Sequence, residues 1–124
     1  VFVEEVGFCQ HDTIFTGVSP DGLVGDDGLC EFKCPTEAVH REYMLRKDEP
    51  PEYRAQIQGQ MWVTGRKWTD FVSYHPDFPE NAQLIVRRVQ RDDAYITKLE
   101  AEVIKLNAEV QAETEAILNY KEAA

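Results

Sequence analysis

No apolar run in this 124-residue chain approaches the roughly 20 residues that a membrane-spanning helix needs. The amino-terminal stretch also lacks the basic, apolar, small-residue order of a secretory signal. A cytoplasmic location with no membrane partner is the resulting expectation. Cysteine is scarce: Cys9, Cys30 and Cys34 make an odd count, which argues against a disulfide framework. Cys30 and Cys34, even with His40, fall short of the four ligands of a structural zinc site. Small buried thiols beside a strand are the expectation instead. Positive charge is in short supply as well, with 13 Lys and Arg against 23 Asp and Glu and a net charge of −10. That balance speaks against a basic stripe for nucleic acid. A sum, however, does not say where charges lie. Much of the acid falls in the carboxyl-terminal stretch, and carboxylates that gather divalent ions reverse their local sign. There is no internal repeat, low-complexity segment or obvious linker, so one domain over residues 1–124 is expected.

What is present alternates between strand and helix signals. Val1 to Gly7 and Ile14 to Val18 are rich in β-formers. Ser19-Pro20-Asp21-Gly22 and Gly25-Asp26-Asp27-Gly28 are turns, with the Asp-Gly pair as a hairpin signal. Leu23-Val24 and Leu29 to Lys33 are extended between and after them, so residues 14 to 33 are predicted as a tight β-meander. Thr36 is placed to cap a helix over Glu37 to Lys47. After Pro50-Pro51, Glu52 to Thr64 is predicted helical and Gly65 is its terminator. Trp68 to Tyr74 and Leu84 to Val89 are predicted strands, the latter with Leu84, Val86 and Arg88 on its buried face. From Asp92 to the end the chain is helix-forming. Ile96, Leu99, Val103, Leu106, Val110 and Ile117 form an apolar seam that lapses at Glu113 and Thr114. One amphipathic helix packed on its own domain is favoured over a helix that pairs with another subunit. The order of elements implies an α/β or α+β fold around a mixed sheet.

Three features cluster within 40 residues. Asp21 lies on a turn after a strand. Glu31 and Lys33 are two apart on a strand and share a face, which sends Phe32 to the opposite side, toward the core. Gln56, Gln58 and Gln60 lie on a helix behind Tyr53. Glu-x-Lys alone reads equally well as an ion pair. Asp21 changes that balance, because the turn at 25 to 28 folds it back toward Glu31, and two adjacent carboxylates repel unless a cation lies between them. Hard cations such as Mg²⁺ prefer oxygen ligands, and the Phe32 backbone carbonyl adds one more. Lys33 beside such a centre suits phosphodiester hydrolysis, either by offsetting charge on the phosphate and orienting water or as a general base.

The spacing Pro20-Asp21 … Glu31-x-Lys33 resembles the PD-(D/E)xK nuclease pattern. The longer strings narrow the resemblance. Gly17-Val18-Ser19-Pro20-Asp21-Gly22-Leu23, Glu31-Phe32-Lys33-Cys34-Pro35 and Tyr53-Arg54-Ala55-Gln56-Ile57-Gln58-Gly59-Gln60-Met61-Trp62 resemble the lambda-exonuclease, or YqaJ-type viral recombinase, family. Phe71-Val72-Ser73-Tyr74-x-Pro76 is similar to its next strand. The resemblance implies an α/β restriction-endonuclease-like core, with a central mixed sheet flanked by helices and a long C-terminal helix. It implies a Mg²⁺-dependent (Mn²⁺ as substitute) 5′ to 3′ exonuclease of double-stranded DNA that leaves 3′ tails for a single-strand annealing recombinase of phage type. Asp21, Glu31 and the Phe32 carbonyl would bind metal, Lys33 would be the catalytic lysine and Gln56 the active-site glutamine. Tyr53, Arg54 and His40 are candidate DNA contacts, although His40 reads equally as an exposed helix histidine. Core packing is favoured for Met61 and Trp62, and loop positions without a role for His11 and His75.

The family's N-terminal helical region, which adds an acid to the site, has no counterpart in the string; Glu4 and Glu5 do not match it. The family also forms homotrimeric rings, for which Arg41, Arg46, Lys47 and Arg54 would have to face inward. Two competing readings stand beside the exonuclease: a PD-(D/E)xK endonuclease, and a non-catalytic DNA-binding or assembly module on the same fold.

Overall fold

The structure is a computed structural model and describes residues 1–122. Its elements in chain order are β1 (Cys9–Gln10), β2 (Gly17–Val18), β3 (Gly22–Val24), β4 (Gly28–Lys33), α1 (Glu37–Leu45), α2 (Arg54–Thr64), β5 (Trp68–Tyr74), β6 (Leu84–Gln90) and α3 (Asp93–Leu118). Among the described residues no helix is long and apolar enough to cross a membrane.

β3, β4, β5 and β6 form one mixed sheet in that order. β3 and β4 are an antiparallel hairpin, β5 runs parallel to β4, and β6 returns antiparallel to β5. A parallel neighbour needs a crossover, and residues 34–67 provide it with α1 and α2. The hairpin turn owes its shape to Gly25, which takes φ +55°, a left-handed value that side chains disfavour. Arg66 braces this turn by donating to the carbonyls of Gly25 and Gly28. Gly65 ends α2 in the same left-handed region, as predicted.

The amino-terminal third is more irregular than the sequence suggested. Val1 to Gly7 makes only an isolated bridge, Glu4 to Leu23. Of residues 14–18 only Gly17–Val18 is strand, and it pairs with Cys9–Gln10 rather than with β3. The meander is therefore a β3–β4 hairpin beside a separate two-stranded ribbon. Glu4, Glu5, Asp12 and the Ser19-Pro20 turn break the extended run too often for a full strand. α1 stops at Leu45, short of Lys47. Thr36 stands at its N-cap position without a side-chain cap bond.

One face of the sheet is covered and one is open. Register places Leu29, Glu31 and Lys33 beside Thr69, Phe71 and Ser73, and these beside Val89, Arg87 and Ile85. This is the face under α1 and α2, where Leu29, Tyr43, Ile57, Met61, Phe71, Ile85 and Val89 form the core. The phase predicted for β6 is thus reversed: Ile85 and Val89 are buried, and Leu84 and Val86 are exposed. Arg87 misled the periodicity, because it faces inward and reaches the Met44 and Arg46 carbonyls at the end of α1. Those carbonyls lack helical partners and attract a cation. Phe32 is likewise on the open face and 47% exposed, not in the core. On the same face Asp70 and Arg88 pair in register, and Arg88 stacks on Trp68 at 3.6 Å.

Asp92 caps α3 by accepting from Tyr95 N, and this bond, reinforced by the Arg54 guanidinium, holds its carboxyl below the usual range. The seam packs on α2 only at its start: Ile96 is buried, Leu99 and Val103 are half-buried, and Leu106, Val110 and Ile117 are exposed. Asn107 still donates to the Phe15 carbonyl, so the helix leaves its own domain after about four turns, and packing along its whole length is not observed. It ends at Leu118; Asn119 to Glu122 are not helical, and the predicted helix over Ala123 and Ala124 lies outside the described residues.

Candidate active site

The site forms where β3 begins, beside the last residues of β4. Register pairs Gly22 with Cys30, so the next position places Asp21 across from Glu31. Side chains directly opposite in an antiparallel pair share a face. The ladder stops there, and the Phe32 N–H donates to Asp21 Oδ2 at 2.7 Å instead of to a strand carbonyl. A strand residue sends its N–H and C=O to the same edge. The Phe32 carbonyl therefore points to the edge that Asp21 occupies, just before the start of β3.

Glu31 is 3% exposed, a costly place for a carboxylate without partners. It has three. Lys33 Nζ and Gln56 Nε2 each donate to Oε1 at 2.7 Å, and Gln60 Nε2 donates to Oε2 at 2.9 Å. Strand periodicity delivers Lys33, and the i, i+4 spacing on α2 delivers both glutamines from one helix face. The Lys33 ammonium also lies 4.5 Å from the Tyr53 ring centroid, and Tyr53 packs on Phe71. One cation thus sits between a buried carboxylate and an aromatic face. The neighbouring Cys30 thiol is pushed up to about 11 by burial first and then by Asp21, Asp70 and Glu31. The carboxylates' share of that shift reflects the negative charge gathered at the start of β3. Cys30 is buried as expected of a structural thiol, whereas Cys34 is exposed.

The donors available to a cation are the carboxylates of Asp21 and Glu31 and the Phe32 carbonyl. All are hard oxygens, which fits Mg²⁺ better than zinc. Among the described residues no cluster of three or more His, Cys, Asp and Glu side chains gathers anywhere.

Asp21, Glu31, Phe32, Lys33, Gln56 and Tyr53 are thus brought together. Arg54 is turned toward the start of α3, where it pairs with Asp92 at 2.9 Å and lies over Tyr95. His40 is a correction. It is fully buried, with Nδ1 bonded to Ser73 Oγ at 2.7 Å and Nε2 to the Ala82 carbonyl at 2.8 Å. It is neither on the surface nor free to touch DNA, and it ties α1 to β5 and to the loop after it. Met61 is in the core as expected; Trp62 is half-buried against His11. His11 and His75 each accept backbone N–H groups in tight turns. Gln60 was present in the motif string but had no role assigned. The signal that would have found it is its spacing of one helical turn from Gln56.

Residues 2–67 match the model of the YqaJ-like viral recombinase domain. The chain belongs to that family. An alkaline exonuclease from Laribacter hongkongensis is 48% identical over 94% of this chain, with a TM-score of 0.91. The same enzyme in complex with dAMP gives 0.90. The chain spans 60% of the length of that relative. A phage-related exonuclease from Haemophilus somnus shares the fold at 16% identity, with a TM-score of 0.63 over 92% of this chain and 64% of its own. These likenesses agree with the predicted α/β architecture, its mixed sheet and its long C-terminal helix. Comparison with curated proteins gives no match.

Proposed function

We propose that this chain is the catalytic core of a Mg²⁺-dependent deoxyribonuclease that degrades linear double-stranded DNA from its ends, 5′ to 3′. The observation that carries the reading is the Glu31 carboxylate, buried and held by Lys33 and Gln56 beside Asp21. A buried acid, a second acid and an ammonium at one strand end make a setting for phosphodiester hydrolysis. Family membership and the 48% identity to an alkaline exonuclease support the same chemistry.

Asp21, Glu31 and the Phe32 carbonyl would hold the metal. A divalent cation there supplies Lewis-acid stabilisation of phosphate charge and acidifies the attacking water. The chain's own groups do the rest. Gln56 fixes Glu31 in one rotamer. Lys33, whose amine is pinned between Glu31 and the Tyr53 face, offsets the negative charge that develops on the scissile phosphate. Tyr53 limits where that amine can move. Arg54 is exposed enough to meet the DNA backbone if it releases Asp92. A trimeric ring and an annealing recombinase that receives the 3′ tails complete the proposal.

The test is digestion of linear duplex DNA labelled at either end, with Mg²⁺ or with EDTA, beside Lys33→Ala. Mg²⁺-dependent release of 5′-labelled mononucleotide, lost in Lys33→Ala, is expected. Cleavage of closed circular DNA would replace the exonuclease by an endonuclease. Absence of any cleavage would leave a binding module on the same fold.

A further inference from the structure

Gln60 is 1% exposed, and its amide has an unusual balance of partners. Nε2 donates to Glu31 Oε2, while Oε1 is buried with no partner among the described residues. The opposite orientation would face an amide oxygen to a carboxylate oxygen, so this assignment is forced by charge. A buried acceptor left unsatisfied is destabilising, and a methionine of similar length would avoid that cost. A locally unfavourable polar group beside a catalytic carboxylate is the pattern of a residue kept for function.

Counting lone pairs shows what it does. A carboxylate offers about four acceptor sites. Lys33 and Gln56 use both sites of Oε1, and Gln60 uses one site of Oε2. The remaining open site is on Oε2. On the nuclease reading, on which this step rests, Oε2 is the oxygen left for the metal, and we infer that Gln60 is the positioning residue that aims it. Gln56 and Gln60 divide the work: one holds the oxygen that Lys33 shares, the other the oxygen that a cation would take. Neutral amides suit this task, because they fix the carboxylate without competing for the cation by charge.

The adjacent Gln58 provides the control. It is equally buried but bonds only to the junction before α3, donating to the Gln90 carbonyl and accepting from Asp92 N. The experiment is calorimetric titration of the intact chain with Mn²⁺ in the absence of DNA, on wild type, Gln60→Met and Gln58→Met. Gln60→Met is expected to bind about tenfold more weakly, the equivalent of one lost charge-assisted hydrogen bond. Its hydrolysis rate should recover at high Mn²⁺. Gln58→Met should lose thermal stability and keep wild-type affinity. If Gln60→Met does not fold, Gln60→Asn, which withdraws the same amide by one methylene, is titrated in its place and carries the same expectation. Unchanged affinity in the Gln60 variant, or an equal loss in Gln58→Met, would overturn the inference while leaving the nuclease reading intact. A wild-type chain that takes up no Mn²⁺ would overturn both.

Discussion

Replacing Lys33 by methionine removes one charge and keeps most of the stem that lies against Tyr53. In the metal-free protein that charge is the counter-ion of Glu31, at 2.7 Å, with side-chain exposures of 22% for Lys33 and 4% for Glu31. At an effective dielectric of about 20 the gross attraction is about 6 kcal/mol. Desolvation of the carboxylate and partial solvation of the ammonium offset much of it. Breaking fully buried pairs costs about 3–5 kcal/mol and exposed pairs about 0–1, so this half-covered pair should be worth about 2 kcal/mol. For a domain of this size that lowers Tm by about 8 °C. The assay is a thermal melt of wild type and Lys33→Met in EDTA and in saturating Mg²⁺. In EDTA the variant should melt about 8 °C lower. In Mg²⁺ the gap should narrow, because an ion at Oε2 supplies the counter-charge that the variant lacks and meets no repulsion from a neighbouring ammonium. Ligation at about 100 times Kd adds about 2.7 kcal/mol, enough to bring the variant in Mg²⁺ to the stability of wild type in EDTA. Equal melting temperatures in EDTA, or a metal-induced rise no larger than that of wild type, would refute the claim that Lys33 is the stabilising counter-ion of Glu31.

Two further outcomes follow from packing. An alanine at Gly28 would drive its Cβ into the Trp68 ring that faces it across β4 and β5. Gly28→Ala should cost about 1–3 kcal/mol by overpacking, and Trp68→Ala in the same chain should relieve part of that in a double-mutant cycle of denaturant melts. His40→Phe strands Ser73 Oγ and the Ala82 carbonyl and should cost about 2–3 kcal/mol. It should leave the salt dependence of DNA binding unchanged, since His40 is fully buried; a shallower slope would return it to the DNA path.

The parts of the fold that could be read from sequence were those fixed by local rules. Gly65 after a helix, Asp92 before one and the β-rich Trp68 to Tyr74 run each state their structure within a few residues. The misreadings came where one residue served a distant partner. Arg87 looks like the polar side of β6, yet it faces inward because α1 ends above it with unpaired carbonyls. Phe32 looks like a core residue, yet the helices cover the face of Glu31 instead. α3 carries one seam throughout, but only its first turns meet α2, and periodicity cannot say where the opposing surface stops.

The grouping of the candidate site residues was legible for a different reason. Its residues lie in two short segments and on one helix, and strand period, ladder register and helix period are all countable in sequence. Asp21 and Glu31 meet because β3 and β4 form a hairpin with a three-residue turn; Glu31 and Lys33 meet because they are two apart. Gln60 was the residue left without a role: its one-turn spacing from Gln56 was the signal, but a glutamine so placed is ordinarily solvated. Its burial follows from α2 docking on the sheet so that both amides reach the same carboxylate. That placement depends on the apolar residues that follow the two glutamines, Ile57 and Met61, which anchor α2 to Leu29 and Phe71. The Glu31 cage and the hydrophobic core are therefore set by the same helix docking. Loosening Ile57 or Met61 should disturb the glutamine cage around Glu31 as well as stability, even though neither side chain approaches substrate.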